Sequence, residues 1–253
     1  MTYTIGADPE MFVVGQDGTF INGHGLIGGT KEKPFRVRDG AVQVDGMALE
    51  FNIDPASSRT EFVRNVRSVK DQLNAMVKGG RVVAESVAHF DPDWFKLQPK
   101  ASRILGCDPD FDAWTMSMNP APQANRPMRT AAGHVHIGWT EGKDVLNDWD
   151  HFEDCAAMIR HLDTIVGPWT VIADPGSEER RSMYGKAGAF RAKPYGVEWR
   201  VPSNFWLNGY EGEMYDRVTA ALERWDAGDI QSNPDVVNII NNSDYAAARE
   251  LVA

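Results

Sequence analysis

Three Asp-Gly pairs, Asp17-Gly18, Asp39-Gly40 and Asp45-Gly46, punctuate a series of short apolar runs in residues 3–53. Asp-Gly between alternating apolar segments is the strongest short-range hairpin signal, because tight turns need positive φ and glycine adopts it without steric cost. The runs TYTIG, EMFVVG, TFIN, AVQVD and ALEFNI are therefore expected as strands paired antiparallel. Such a sheet needs an apolar layer against it. Residues 58–78 supply one, with Phe62, Val63, Val66, Val69, Leu73, Met76 and Val77 at helical spacing and a stop at Gly79-Gly80.

RVVAESVAHF follows as a further strand, and residues 91–132, rich in Pro, Asp and Asn, read as a long loop region bordering a site. Residues 146–173 predict a helix broken near Gly167-Pro168, and residues 208–227 a closing amphipathic helix. There is no internal repeat and no low-complexity linker. The expected fold class is α+β, a single domain over residues 1–253 built on an antiparallel sheet.

With 42% hydrophobic residues, 25% charged residues and eight tryptophans in 253 positions, the chain has the profile of a folded protein. Its net charge of -10 argues against general nucleic-acid or membrane-surface binding and points to small-molecule partners. The N-terminal segment MTYTIGADPEMFVVG has no basic region ahead of an apolar core, and no window approaches a membrane span, so a soluble, unprocessed protein is expected. Cys107 and Cys155 are too few for a disulfide framework and lack thiolate-zinc spacing, which fits a reducing cytoplasm.

Four short segments place two polar residues on one strand face: Asp8 and Glu10 in GADPEMF, Glu50 and Asn52 in LEFNI, His134 and His136 in GHVHIG, and Glu198 and Arg200 in GVEWR. One such face is ordinary solvated sheet. Four together argue convergence, and so many carboxylates in one place require cations, since neighbouring like charges cannot all stay ionised. Oxygen-rich donors with an occasional imidazole suit Mg²⁺ or Mn²⁺, with zinc through His134 and His136 as the alternative.

Arg180, Arg181, Lys186, Arg191, Lys193 and Arg200 crowd into 21 positions of an acidic chain. Carboxylate-held metals beside Arg/Lys clamps are what phosphoryl transfer needs, the alternative being a solvated basic face. Lys186 and Arg191 flank an Ala-Gly-Ala stretch where backbone can approach a ligand closely.

Other patterns carry no chemistry. GHGLIG, residues 23–28, matches a dinucleotide fingerprint in letters but opens no helix; no P-loop and no nucleophile elbow is present. His24, His89, His151 and His161 read as surface or packing residues.

GADPEMF, QVDGMALEFNIDP, GHVHIG and RRSMYGKAGAFRAKPYGVEWRVPSNFW, in that order, resemble the phage-type COOH-NH2 ligases, amidoligases of the glutamine synthetase-like superfamily, from about residue 4 to residue 225. The resemblance implies a curved antiparallel sheet, backed by helices, whose concave face holds ATP and two or three Mg²⁺ or Mn²⁺ ions. It implies phosphorylation of a carboxylate by ATP and displacement of phosphate from the acyl phosphate by an amine. Asp8, Glu10, Glu50, His134 and Glu198 would be metal ligands, with Asp45 or Asn52 as partner of Glu50, where glutamine synthetases have a second glutamate. His136 would lie nearer the nucleotide, and Arg181, Lys186, Arg191 and Arg200 would hold phosphates, the last three acting with Glu198 in catalysis. Thr30 and Lys31 of GGTKEKPF, with Asn52 and Tyr184, would face the substrate.

The partners expected are small-molecule or peptide carboxylates and amines. The competing readings are a metal-dependent hydrolase using His134, His136 and the carboxylates, and a catalytically idle nucleotide- or peptide-binding member of the fold.

Overall fold

A computed structural model describes residues 2–103, 110–120 and 126–252. Each Asp-Gly pair turns a hairpin. Gly18, at φ 81°, turns Glu10–Gly15 into Phe20–Ile21; Asp39, at φ 66°, turns Phe35–Val37 into Gly40–Asp45; and Gly46, at φ 57°, turns Gly40–Asp45 into Ala48–Ile53.

Among the described residues there are two six-stranded antiparallel sheets. In the first, Thr4–Ala7 is followed by Val135–Gly138, Gly196–Trp199, Ala189–Lys193, Phe111–Asp112 and Ser117–Met118. In the second, Phe20–Ile21 is followed by Glu10–Gly15, Ala48–Ile53, Gly40–Asp45 and Phe35–Val37, and Gly80–Val83 also pairs with Glu10–Gly15.

The N-terminal chain runs through both sheets and forms the seam between them. Ile5 exchanges backbone hydrogen bonds of 2.8 and 2.9 Å with Ala56, Phe51 N donates to Pro9 O at 3.1 Å, and Glu10 N donates to Ala132 O at 2.8 Å. Asp8 and Glu10 therefore stand on either side of the junction.

Strand alternation divides the chemistry from the packing. Val135, Ile137, Val197 and Trp199 are buried in the core, where the helix Trp149–Ile165 packs on Ala189–Lys193 and Gly196–Trp199. On the second sheet, Phe62, Val66, Val69 and Leu73 of the helix Arg59–Met76 fill the same role. Ser58 caps that helix by accepting from Glu61 N, while Glu61 accepts in turn from Ser57 N. One hydrophobic cluster runs from Ile5 to Ala248, with a smaller one around Phe12, Met47 and Phe90.

Several expectations are corrected. RVVAESVAHF is two strands, Gly80–Val83 and Val87–His89, the second paired with Met128–Thr130. The described residues of 91–132 include the helices Pro92–Lys96 and Lys100–Arg103 and three short strands, where the sequence predicts a loop region. Asp91 starts the first helix by accepting from Asp93 N and Trp94 N ahead of Pro92, a signal already present in FDPDW. Cys107 lies outside the described residues.

The helix expected over 146–173 breaks where Gly167-Pro168 requires, into Trp149–Ile165 and Gly167–Ala173. The closing helix spans Glu211–Asp226, and two further helices, Asp235–Asn241 and Tyr245–Val252, follow it. No described helix is long and apolar enough to cross a membrane.

Candidate active site

The pairing register aligns Gly6, His136, Glu198 and Arg191 across four strands of the first sheet. Residues two positions away share that face, which adds Asp8, His134, Lys193 and Arg200. In the second sheet Glu10, Glu50 and Gln43 align, and Asp45 lies two positions from Gln43.

Asp8 Oδ1 lies 3.1 Å from His134 Nδ1 and 3.0 Å from His136 Nε2. Burial opposes the charge on Asp8, yet His136 and then His134 hold its carboxyl well below the ordinary range. Burial first, and Arg200 second, push His134 down to about 3, so its imidazole is neutral at pH 7. Both of its nitrogens are engaged, Nδ1 with Asp8 and Nε2 with the Tyr184 hydroxyl at 3.3 Å. His136 differs: Nδ1 meets the Tyr195 hydroxyl, while the buried Nε2 has no aligned hydrogen-bond partner despite its closeness to Asp8.

Glu198 is fully buried among cations. Its carboxylate meets Arg200 Nη1, Lys193 Nζ at 2.6 Å and Arg191 Nη1 at 3.6 Å, with His134 Nδ1 at 3.3 Å. Arg200 also donates to the Tyr184 hydroxyl and, through Nε, to Asp110 Oδ2 at 2.9 Å.

Two groups offer ligand atoms that all lie within 4.8 Å of one another: Asp8, His136 and Glu198, and Glu10, Asp45 and Glu50. Their electrostatics differ. In the second group burial, followed by neighbouring carboxylates, raises Glu10 to about 8 and Glu50 well above its ordinary value, and burial also raises Asp45. Crowded together without a cation, these carboxyls hold protons rather than full negative charge, whereas Glu198 in the first group already faces three cations.

Beside both groups opens a pocket of about 740 Å³ whose lining includes Asp8, Glu50 and His136. Its other walls carry Trp139 and Tyr195, the hydroxyls of Thr4 and Thr140, and Asn52. Among the described residues no lysine or arginine lines it. The cations on Ala189–Lys193 and at Arg200 meet Glu198 instead.

Asp8, Glu10, Glu50, His134, His136, Tyr184, Arg191, Glu198 and Arg200 thus come together, and Asp45 rather than Asn52 completes the group with Glu50. The ligand set read from the sequence contains His134; the compact ligand group contains His136.

Arg181 is turned away from the site. It is fully buried, with Nε on Ser177 Oγ at 3.0 Å and Nη2 on Thr170. Lys186 is exposed on the loop before Ala189–Lys193. Thr30 and Lys31 stand on an exposed turn closed by reciprocal Thr30–Lys33 backbone bonds of 3.1 Å, and the Lys31 charge reaches Asp45.

Sequence reasoning missed Asp110 and Tyr195. Neither sits in a polar-x-polar strand pattern, and only tertiary pairing brings them to Arg200 and His136.

No curated protein matches the chain. A bifunctional glutathione synthetase from Pasteurella multocida aligns with it at 10% identity and a TM-score of 0.46, covering 99% of this chain and 46% of its own. The chain thus spans just under half the length of that structure. Residues 130–213, which carry His134, His136, Arg191, Glu198 and Arg200, match the model of the phage phiEco32-like COOH.NH2 ligase-type 2 family, in keeping with the family that the sequence motifs resemble.

Proposed function

We propose that this protein is an ATP- and Mg²⁺-dependent carboxylate–amine ligase, a single catalytic domain of the glutamine synthetase-like kind, forming an amide through an acyl phosphate. The observation that carries this reading is the meeting of two ligand groups, one of crowded carboxyls that hold protons for want of a cation and one facing Arg191, Lys193 and Arg200, at the edge of a large pocket with no lysine or arginine among its described lining residues.

Divalent metal fits the residues present. Burial and then mutual repulsion raise Glu10 and Glu50, and the orphaned Nε2 of His136 lies 3.0 Å from Asp8 Oδ1. Glu10, Asp45 and Glu50 would hold one ion, and Asp8, His136 and Glu198 another. Bound metal would neutralise phosphate charge and orient the transferring group.

The chain's own side chains divide the remaining work. Trp139 and Tyr195 offer aromatic surface for a nucleoside, and Thr4, Thr140 and Asn52 offer hydrogen bonds to it. Arg191, Lys193 and Arg200 bind the γ-phosphate and then the acyl phosphate, and they stabilise charge that grows as the bridging oxygen leaves. His134 is an interior link rather than a ligand. Its Nδ1–H donates to Asp8 and its Nε2 accepts from Tyr184, whose oxygen accepts from Arg200, so one chain of hydrogen bonds fixes the catalytic arginine relative to Asp8.

The test is release of ADP from ATP with Mg²⁺ across pools of amino acids, peptides and amines, with mass spectrometry of any product. Amine-dependent ADP release and a condensed product are expected. Turnover of an amide without nucleotide, or nucleotide binding without ADP release under every pool, would reject the proposal.

A further inference from the structure

Asp110 belongs to neither ligand group, yet it holds the cation between them. Arg200 lies between two carboxylates, with Nη1 on Glu198 and Nε on Asp110 Oδ2 at 2.9 Å. Asp110 is itself secured. Its Oδ1 accepts from Asn119 Nδ2 at 3.0 Å and its main-chain oxygen from Asn119 N at 2.9 Å, which closes the mouth of the hairpin formed by Phe111–Asp112 and Ser117–Met118. The two side chains are 3% and 12% exposed, so solvent screens the pair little.

A guanidinium held only at its tip can rotate toward whichever carboxylate is nearest. An acceptor on Nε removes that freedom, because Nε carries a single hydrogen in the guanidinium plane. The Arg200 charge also acts at a distance. It is among the influences that lower Glu10 and Asp45, and it helps keep His134 neutral.

We infer that Asp110 is a positioning residue: it fixes the direction of the Arg200 guanidinium, so that Nη1 and Nη2 stay turned toward Glu198, His134 and Tyr184 and remain available to an anionic ligand there. The anchoring stands on geometry alone; its purpose rests on the ligase reading.

The two can be separated in ¹⁵N-labelled protein. The Arg200 Nε–H resonance, assigned by its loss in Arg200→Lys, is expected to be protected from solvent exchange in the parent. In Asp110→Ala, which leaves no acceptor for it, the resonance should move to the position of an exposed arginine, while the backbone amide spectrum is retained. Should Asp110→Ala lose its fold, Asn119→Ala frees one side of the same carboxylate and should increase Nε–H exchange.

Calorimetric affinity for Mg·ATP is expected to fall about tenfold in Asp110→Ala, the scale of a charge-assisted hydrogen bond, and less than twofold further when Asp110→Ala is added to Arg200→Lys. An unchanged Nε–H resonance overturns the anchoring. A shifted resonance with fully additive affinity losses overturns its role toward the ligand. Absence of Mg·ATP binding in the parent counts against the ligase reading and leaves the anchoring to be decided by the Nε–H signal.

Discussion

Glu10→Gln is expected to make the metal-free protein more stable while weakening its response to Mg²⁺. Glu10 lies with Asp45 and Glu50 within 4.8 Å, and burial followed by the Asp45 charge raises its carboxyl from 4.5 to about 8. A raised carboxyl contributes stability that is fully present below the unfolded value and is lost as pH rises through the folded value. Between pH 4.5 and pH 7 each unit costs about 1.4 kcal/mol. Because Glu10 is half-buried rather than sealed, about 2 kcal/mol is the reasonable charge for it at pH 7.

Glutamine escapes that cost and keeps the backbone hydrogen bond, since its carbonyl can still accept from Ala132 N, which lies 2.9 Å from Glu10 Oε2. Urea unfolding in EDTA from pH 5.5 to 8.5 should therefore show the variant ahead of the parent by a margin that widens up to about pH 8. In saturating Mg²⁺ the order should reverse, because a ligand at a hundred times its Kd stabilises the parent by about 2.7 kcal/mol and the amide is a poorer donor to a hard cation. Parallel pH curves in EDTA, or an equal Mg²⁺ shift in both proteins, would refute the reasoning.

Glu198→Gln leaves Arg191, Lys193 and Arg200 without their shared carboxylate, and a loss of about 3 kcal/mol is expected by denaturant unfolding, together with weaker Mn²⁺ binding read by electron paramagnetic resonance. His136→Ala should weaken Mn²⁺ binding more than His134→Ala does, since His134 spends both nitrogens inside the protein; the reverse order would restore His134 as the ligand. Gly188→Ala should lower the melting temperature sharply, because a Cβ at this residue of φ 82° would sit 2.2 Å from Asp112 Oδ1. Cys155, whose thiol burial pushes up while its Sγ lies 3.2 Å from Gly196 O, should resist thiol reagents until the protein unfolds.

Local signals in the chain specify much of this molecule. The Asp-Gly turns, the Phe62 to Leu73 stripe and the Gly167-Pro168 break act within a few residues, and each appears in the fold at its expected place. The polar-x-polar strands are equally local, so the faces carrying Asp8, Glu50, His134 and Glu198 could be read from parity alone.

What parity cannot tell is which side chain ends nearest which. His134 and His136 share a face, yet Tyr184 occupies one and Tyr195 leaves the other's Nε2 open. Arg181 carries the same charge as Arg191 but belongs to a helix whose inner side meets Thr170, and its burial depends on a contact eleven residues back. Asp110 was silent because its neighbours Phe111 and Asp112 show no alternating pattern long enough to declare a strand.

The seam at Pro9 has a mechanical consequence. Asp8 and Glu10 are two residues apart in the chain but serve ligand groups on different sheets, so anything bound to both groups at once acts as a bolt across the junction. Occupancy should stiffen the joint as well as the site, and the amides that span it, Phe51 N to Pro9 O and Glu10 N to Ala132 O, are where slowed hydrogen exchange would register it first.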